Sequence, residues 1–140
     1  MSKKRREEEK RERERKLEEE EDRLYEEKLQ RKYEEKVKEY NEFISKYEEP
    51  NLNPENNVEL NEPFMIRGSR PYSVPPHARK KEFKLVKIDD IFELVEQREF
   101  NLRKPHTCGG SITIFYVFKP IKKGKGKIIF TKSIFSFTVN

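Results

Sequence analysis

Residues 111–119 have the sequence Ser-Ile-Thr-Ile-Phe-Tyr-Val-Phe-Lys, and this stretch decides the fold of the second half of the chain. Apolar side chains occupy both alternating sets of positions: Ile112, Ile114, Tyr116 and Phe118 in one, Phe115 and Val117 in the other. Successive side chains of a strand point to opposite faces of its sheet, so two apolar sets indicate burial on both faces. The stretch therefore predicts a central β-strand.

The residues after this strand predict a turn and one or two further strands. Residues 122–127, Lys-Lys-Gly-Lys-Gly-Lys, have the glycines that suit a hairpin turn. Residues 127–131 and 134–139 then supply strands, and the second of these places its aromatic side chains on one face.

Upstream, residues 82–99 predict a short strand followed by a short helix. Asp90 and Glu93 resemble a capping pair that would open a helix extending to the end of this range. Asp89 and Asp90 are adjacent carboxylates at that predicted helix start, so we interpret them as a cap and not as a metal or acid/base pair. The expected fold class is α+β, with one short helix inside a small β-rich domain.

Composition divides the chain at Pro50. Residues 1–49 carry 16 Lys/Arg and 18 Asp/Glu, whereas all 8 prolines and all 5 glycines lie from Pro50 onward. Glutamates four positions before lysines or arginines recur in the first part, and this spacing supports a helix. We predict a long charged helix or coiled coil at 1–49, a Pro-rich basic linker or arm at 50–81, and a small β-rich module at 82–140.

An aromatic stripe marks one face of the predicted helix. Its members follow one another at steps of mostly three and four residues, which places them within an arc of about 120°. They are Tyr25, Leu29, Tyr33, Val37, Tyr40, Phe43, Ile44 and Tyr47. Such a face needs a partner, and the chain's own domain, another subunit or a second copy of the helix would each provide one.

The second predicted binding surface is basic. No acidic residue lies beyond Glu99, whereas lysines and arginines continue to the C-terminal strands. The candidate residues for an anionic partner are Arg67, Arg70, Arg79, Lys80 and Lys81 on the arm and Lys122, Lys123, Lys125 and Lys127 on the turn. Side chains of this kind neutralise the phosphates of nucleic acids, and they equally fit an acidic protein surface.

A pattern of glycines and short apolar strands runs through residues 109–139. It consists of Gly109-Gly110, a strand, Phe118-Lys119-Pro120-Ile121-Lys122-Lys123-Gly124, then Ile128-Ile129-Phe130 and a closing Phe137-Thr138-Val139. This pattern resembles the last strands of an immunoglobulin-like sandwich, and its spacing resembles that of the chagasin-type inhibitors of cysteine peptidases. The resemblance implies such a sandwich, with Gly109 and Gly110 in an inhibitory loop that enters a peptidase cleft.

Few residues fit an enzyme or a metal site. Cys108 stands two residues from His106, but a cysteine–histidine nucleophile also needs an orienting third group. With His77 these residues make three ligands, whereas a closed structural zinc site needs four. A single cysteine excludes an intramolecular disulfide, and no apolar run approaches the roughly 20 residues of a membrane span. We expect no catalytic residue, cofactor, metal or membrane contact.

These features favour binding over catalysis. We expect a non-enzymatic structural or adaptor subunit of an intracellular, cytoplasmic assembly, with a nuclear or cytoskeletal location left open. It would bind other protein subunits through the Tyr25 to Tyr47 face and through the basic arm and turn, and the helix would also allow a homo-oligomer. The alternatives are a nucleic-acid-binding protein, such as a ribonucleoprotein component, that uses the same basic residues, and a chagasin-like inhibitor of cysteine peptidases.

Overall fold

The computed structural model describes residues 3–53, 55–71, 83–107 and 110–140, which form one helix and seven strands. The helix α1 spans Lys3–Lys46, and the strands are β1 (Glu55–Val58), β2 (Phe64–Pro71), β3 (Leu85–Ile88), β4 (Phe92–Phe100), β5 (Ser111–Pro120), β6 (Gly124–Phe130) and β7 (Ile134–Val139). A long N-terminal helix followed by a β-rich region confirms the predicted α+β class.

The strands form two sheets. The three-stranded sheet has the order β2-β5-β4, and both pairs are antiparallel. The four-stranded sheet has the order β1-β7-β6-β3, in which β1 runs parallel to β7 and the other pairs are antiparallel. Strand β5 lies at the centre of its sheet, as its two apolar faces predicted.

The two faces of β5 belong to two different cores. Tyr116 and Phe118 face the core between the sheets, where they pack with residues such as Phe130. Phe115 and Val117 face the opposite way, toward α1. The molecule therefore has three layers: the helix, the three-stranded sheet and the four-stranded sheet.

The short helix predicted at residues 90–99 is wrong, because this segment is strand β4. Leu94 pairs with Phe118 of β5, and a bulge at Val95 interrupts the pairing. The helix-like apolar spacing arises because the turn before β4 and this bulge each break the two-residue alternation. The hydrogen-bond ladder with β5 then overrides a weak local preference.

Asp89 supports a turn and not a helix cap. Its carboxylate accepts a hydrogen bond of 2.6 Å from the Lys127 backbone N–H, and its own N–H donates to the Lys127 carbonyl at 3.1 Å. The Phe92 N–H donates to the Asp89 carbonyl at 3.1 Å and closes the turn between β3 and β4.

Part of the predicted basic arm is a core strand. Phe64, Met65 and Ile66 of β2 are buried, so the first half of the segment 63–81 is not an extended arm. Pro63 and Pro71 stand at the two ends of this edge strand, where a proline removes no ladder hydrogen bond from its centre. The rest of the arm, with Arg79, Lys80 and Lys81, lies outside the described residues.

The predicted turn at residues 122–127 is shorter than expected. Strand β6 begins at Gly124, so residues 121–123 make the connection. Gly124 has a φ of 134°, which an L side chain rarely adopts. Sheets of three and four strands match the strand number of an immunoglobulin-type sandwich, and the immunoglobulin-like assignment stays a prediction.

Candidate functional site

The C-terminal end of α1 is anchored to the outer face of the three-stranded sheet. Phe43 is 2% exposed, and its ring lies 5.3 Å from that of Phe115 and 5.5 Å from that of Phe100 between centroids. Tyr40 meets Phe100 edge-to-face at 5.5 Å. Aromatic pairs of this geometry each contribute about 0.5–1.5 kcal/mol beyond their buried area. This aromatic cluster fixes the direction of the helix.

Two arginines cover the edges of the aromatic cluster. The Arg67 guanidinium lies 5.0 Å from the Phe115 centroid and 2.9 Å from the Glu49 carboxylate. Arg98 lies 4.9 Å from the centroid of Phe100 and 5.4 Å from that of Phe43. The quadrupole of an aromatic ring attracts a cation that lies over its face. Both arginines therefore add to the anchoring of α1.

Tyr47 adds a polar contact at the end of the helix. Its hydroxyl donates a hydrogen bond of 3.2 Å to Oε2 of Glu96 on β4. Burial raises the pKa of Tyr47, and the hydrogen bond to the Glu96 carboxylate and its negative charge raise it further. The neutral phenol is therefore the form that the folded chain favours.

The aromatic stripe predicted as one binding face divides into two parts. Tyr40, Ile44 and Tyr47 pack with the buried Phe43 against the chain's own sheet, so this part is not open to another protein. Leu29, Tyr33 and Val37 are half-buried, whereas Tyr25 is 59% exposed. Partner binding through the part from Tyr25 to Val37 stays a prediction.

This second part of the stripe borders a cleft between α1 and the loop that joins β4 to β5. We call it the loop–helix cleft, and its volume is about 350 Å³. Its walls are Tyr25, Leu29, Lys32, Tyr33 and Lys36 on the helix and Asn101, Arg103, Lys104, Pro105 and His106 on the loop. On a helix of about 100° per residue the five helical members fall within an arc of about 100°.

Hydrogen bonds within the loop give the cleft wall its shape. The Asn101 carboxamide oxygen accepts from the Arg103 N–H at 3.2 Å, and the Thr107 hydroxyl donates to the Lys104 carbonyl at 2.6 Å. His106 has a φ of 62°, in the left-handed region, so the chain turns sharply there. Its Nε2 lies 2.7 Å and 2.8 Å from the two carboxylate oxygens of Glu26, which ties the loop to the helix.

The charged side chains that line the cleft are basic on both the helix and the loop. Lys32, Lys36, Arg103 and Lys104 line it, and its described walls include no carboxylate. The sequence did not indicate this cluster, because Lys32 and Lys36 stand in a helix crowded with both charges. The signal available in the sequence was the excess of basic residues after Glu99, of which Arg103 and Lys104 are members.

Among the basic residues predicted from the sequence, those that the structure describes do not form one surface. Arg67 and Arg70 are engaged within the chain, since Arg70 lies 2.9 Å from the Glu99 carboxylate as Arg67 does from Glu49. The turn lysines lie at the opposite end of the sandwich from the loop–helix cleft. Lys122, Lys123, Lys125 and Lys127 are all exposed there.

Acidic side chains accompany the turn lysines. Lys122 lies 3.8 Å from the Asp90 carboxylate, and Glu55 and Asp89 share a shallow depression with Lys125 and Lys127. Because these carboxylates offset the lysines, the turn is less uniformly basic than the cleft. Anionic-partner binding there stays a prediction.

The structure describes only some of the candidate residues for catalysis, metal binding and peptidase inhibition. His77, Cys108 and Gly109 lie outside the described residues, and His106 contacts Glu26. Within the described ranges, no group of three or more His, Cys, Asp or Glu side chains could hold a metal ion. Gly110 has a φ of 100°, and residues 131–133 form a tight turn between β6 and β7. Peptidase inhibition stays a prediction.

The comparisons with known proteins give no relative. No family model, curated protein or solved structure matches this chain. In the part of the chain that the structure describes, no helix is both long and apolar enough to cross a membrane.

Proposed function

We propose that this chain is a non-enzymatic adaptor subunit whose sandwich holds the N-terminal part of α1 out as a binding element. The observation that carries this proposal is the division of α1. The helix is anchored through its last turns, whereas the side chains of residues 3–24, which we call the projecting segment, are exposed apart from the half-buried Glu9. At 1.5 Å per residue this segment is about 33 Å long.

Ion pairs between neighbouring turns stabilise the projecting segment as a helix, although it packs on no sheet. Ion pairs at a spacing of four residues join Glu12 to Lys16 and Arg15 to Glu19, each at 3.9 Å. Each such pair stabilises an isolated helix by about 0.2–0.5 kcal/mol. Because nucleation is the costly step of helix formation, the anchored turns also support propagation into this segment.

Two exposed leucines provide apolar surface that a partner would bury. Leu17 is 60% exposed and Leu24 is 54% exposed, and they stand seven residues apart. That is the heptad spacing, which places both on one side of the helix. A partner helix would cover this pair, and the surrounding charges would select its orientation.

Site-specific photo-crosslinking tests this proposal. A benzoylphenylalanine in place of Leu17 or Leu24 should give discrete, nuclease-resistant protein adducts in cells that express the chain. A matched control has the same group in place of Ile121, which is 42% exposed and lies on the sandwich. Adducts absent from both helix positions, or identical from all three, would overturn the proposal.

A further inference from the structure

We propose that the loop–helix cleft is a binding site for single-stranded nucleic acid. This inference is independent of the projecting segment, since it concerns other residues of α1 and the β4–β5 loop. It also differs from binding through the arm and turn lysines, which the sequence had suggested. None of the described members of those two sets lines this cleft.

The cations of the cleft are arranged along a line. Lys32 and Lys36 stand one helical turn apart, about 6 Å along the axis. This separation is comparable with that of successive phosphates in a single strand. Arg103 and Lys104 face them from the loop, so a phosphate backbone that follows the helix would have positive charge on both sides. Lys32, Lys36 and Lys104 have no ion pair with a carboxylate within the described residues.

Acidic residues of α1 also stand near the cleft, outside its lining. Glu26 lies beside the tip of the loop, where its carboxylate contacts Nε2 of His106. Glu34 accepts a hydrogen bond from Gln30 at 3.4 Å and belongs to another face of the helix. Asp22 and Glu39 stand three residues before Tyr25 and three residues after Lys36, on or beside the same face of α1, but neither of them lines the cleft.

Aromatic side chains distinguish nucleic acid from an acidic peptide as the ligand. Tyr25 and Tyr33 stand at two positions along the same cleft, about 12 Å apart along the helix axis. Phenol rings next to a basic groove stack on bases of any sequence, which is the recognition used by single-strand binders. An acidic peptide without aromatic or arginine side chains would use the lysines but would leave these rings unstacked.

The test compares two variants that remove the same charge. Fluorescence anisotropy would measure binding of labelled oligouridylate and oligothymidylate to the full chain at several salt concentrations. We expect the combined changes Lys32→Gln, Lys36→Gln and Lys104→Gln to weaken binding by tenfold or more. Each lost phosphate contact should reduce the slope of log affinity against log salt by about 0.7. The control combines Lys122→Gln, Lys123→Gln and Lys125→Gln, and we expect it to bind as the unchanged chain does.

A second pair of variants tests stacking and guards against a purely ionic effect. Tyr25→Leu should weaken oligonucleotide binding by about tenfold, whereas Tyr25→Phe, which keeps the ring, should restore it. Inorganic polyphosphate and polyglutamate serve as polyanions without bases. RNA and DNA strands of equal length show whether the ribose hydroxyl contributes.

Several results would overturn the proposal. They are absence of oligonucleotide binding at low salt, equal losses in the two lysine variants, and binding of polyphosphate or polyglutamate as tight as that of the oligonucleotides. Equal affinities for Tyr25→Leu and Tyr25→Phe would also overturn it. Urea denaturation of each variant shows that a loss of binding does not come from a loss of folding.

Discussion

Phe43 is the residue on which the attachment of α1 to the sandwich depends most. Its ring is 2% exposed and contacts the buried rings of Phe100 and Phe115. We expect Phe43→Ala to lower the free energy of unfolding by about 3–5 kcal/mol, because it leaves a cavity between the helix and the sheet. Urea denaturation followed by circular dichroism measures this loss.

Leu24→Ala is the matched control for this prediction. Leu24 is 54% exposed on the same helix, so its truncation should change the free energy of unfolding by no more than about 0.5 kcal/mol. Equal effects of the two substitutions would mean that α1 is not packed as described.

Gly68 is required by the ring that covers it. A Cβ at this position of β2 would overlap the ring of Phe83, which stacks on Phe130 with centroids 4.5 Å apart. Gly68→Ala should therefore destabilise the chain by about 1–3 kcal/mol through overpacking. A double-mutant cycle with Phe83→Leu measures the cause, since the smaller side chain should relieve part of this loss. Strictly additive effects would exclude the overlap as its source.

Two tyrosines should make stability fall in alkaline solution. Burial raises the pKa of Tyr116 and of Tyr47, and the charges of Glu99 and Glu96, respectively, contribute. The folded chain therefore keeps both phenol protons to higher pH than the unfolded chain does. Their contribution is complete below about pH 10, the pKa of a free tyrosine, and is lost as pH rises through the folded-state values.

The combined change Tyr47→Phe and Tyr116→Phe tests this pH dependence. The urea midpoint of this variant should decline less steeply above about pH 10 than that of the unchanged chain, because two linked protons are removed. A parallel decline in both proteins would contradict the assignment.

At the level of elements, strand β5 and strand β4 show where sequence patterns succeed and fail. The two apolar faces of β5 were sufficient to place it at a sheet centre, because alternation depends only on the geometry of a strand. The sequence of β4 predicts a helix because the bulge at Val95 gives its apolar residues a spacing of three and four. A bulge depends on pairing with a distant strand, which a local pattern does not contain.

The loop–helix cleft shows the same limit for the candidate site. Lys32 and Lys36 are separated from Arg103 and Lys104 by about half of the chain. Their meeting depends on the register of α1 along the sheet, which Phe43 and the Tyr47–Glu96 hydrogen bond set. The aromatic stripe was visible in the sequence, but its division between the chain's own sheet and an open cleft was not.

The projecting segment and the anchored part of α1 should contribute differently to the free energy of unfolding. Removal of residues 2–24 deletes the projecting segment, whose side chains are exposed apart from Glu9, so the urea midpoint of the sandwich should remain nearly unchanged. Removal of the whole helix would expose the outer core residues Met65, Phe115 and Val117, and that chain should unfold or aggregate. A large loss of stability from the shorter deletion would show that residues 3–24 pack on the domain.

At the scale of the whole molecule, the three layers explain how a small chain supports a long helix. Only 32% of the residues are hydrophobic, and they are concentrated in the two cores on either side of the three-stranded sheet. The outer core uses the last turns of α1 as its cover, so the same contacts that complete the sandwich also fix the helix. The projecting segment, whose side chains are exposed apart from Glu9, takes no part in either core.

Small-angle X-ray scattering of the monomeric chain tests whether α1 extends beyond the sandwich. The 44-residue helix is about 66 Å long, so the maximum dimension of the particle should exceed this length. The chain that lacks residues 2–24 should be shorter by about 30 Å. A radius of gyration near 14 Å, which is that of a compact chain of this size, with no shortening on truncation, would contradict the account.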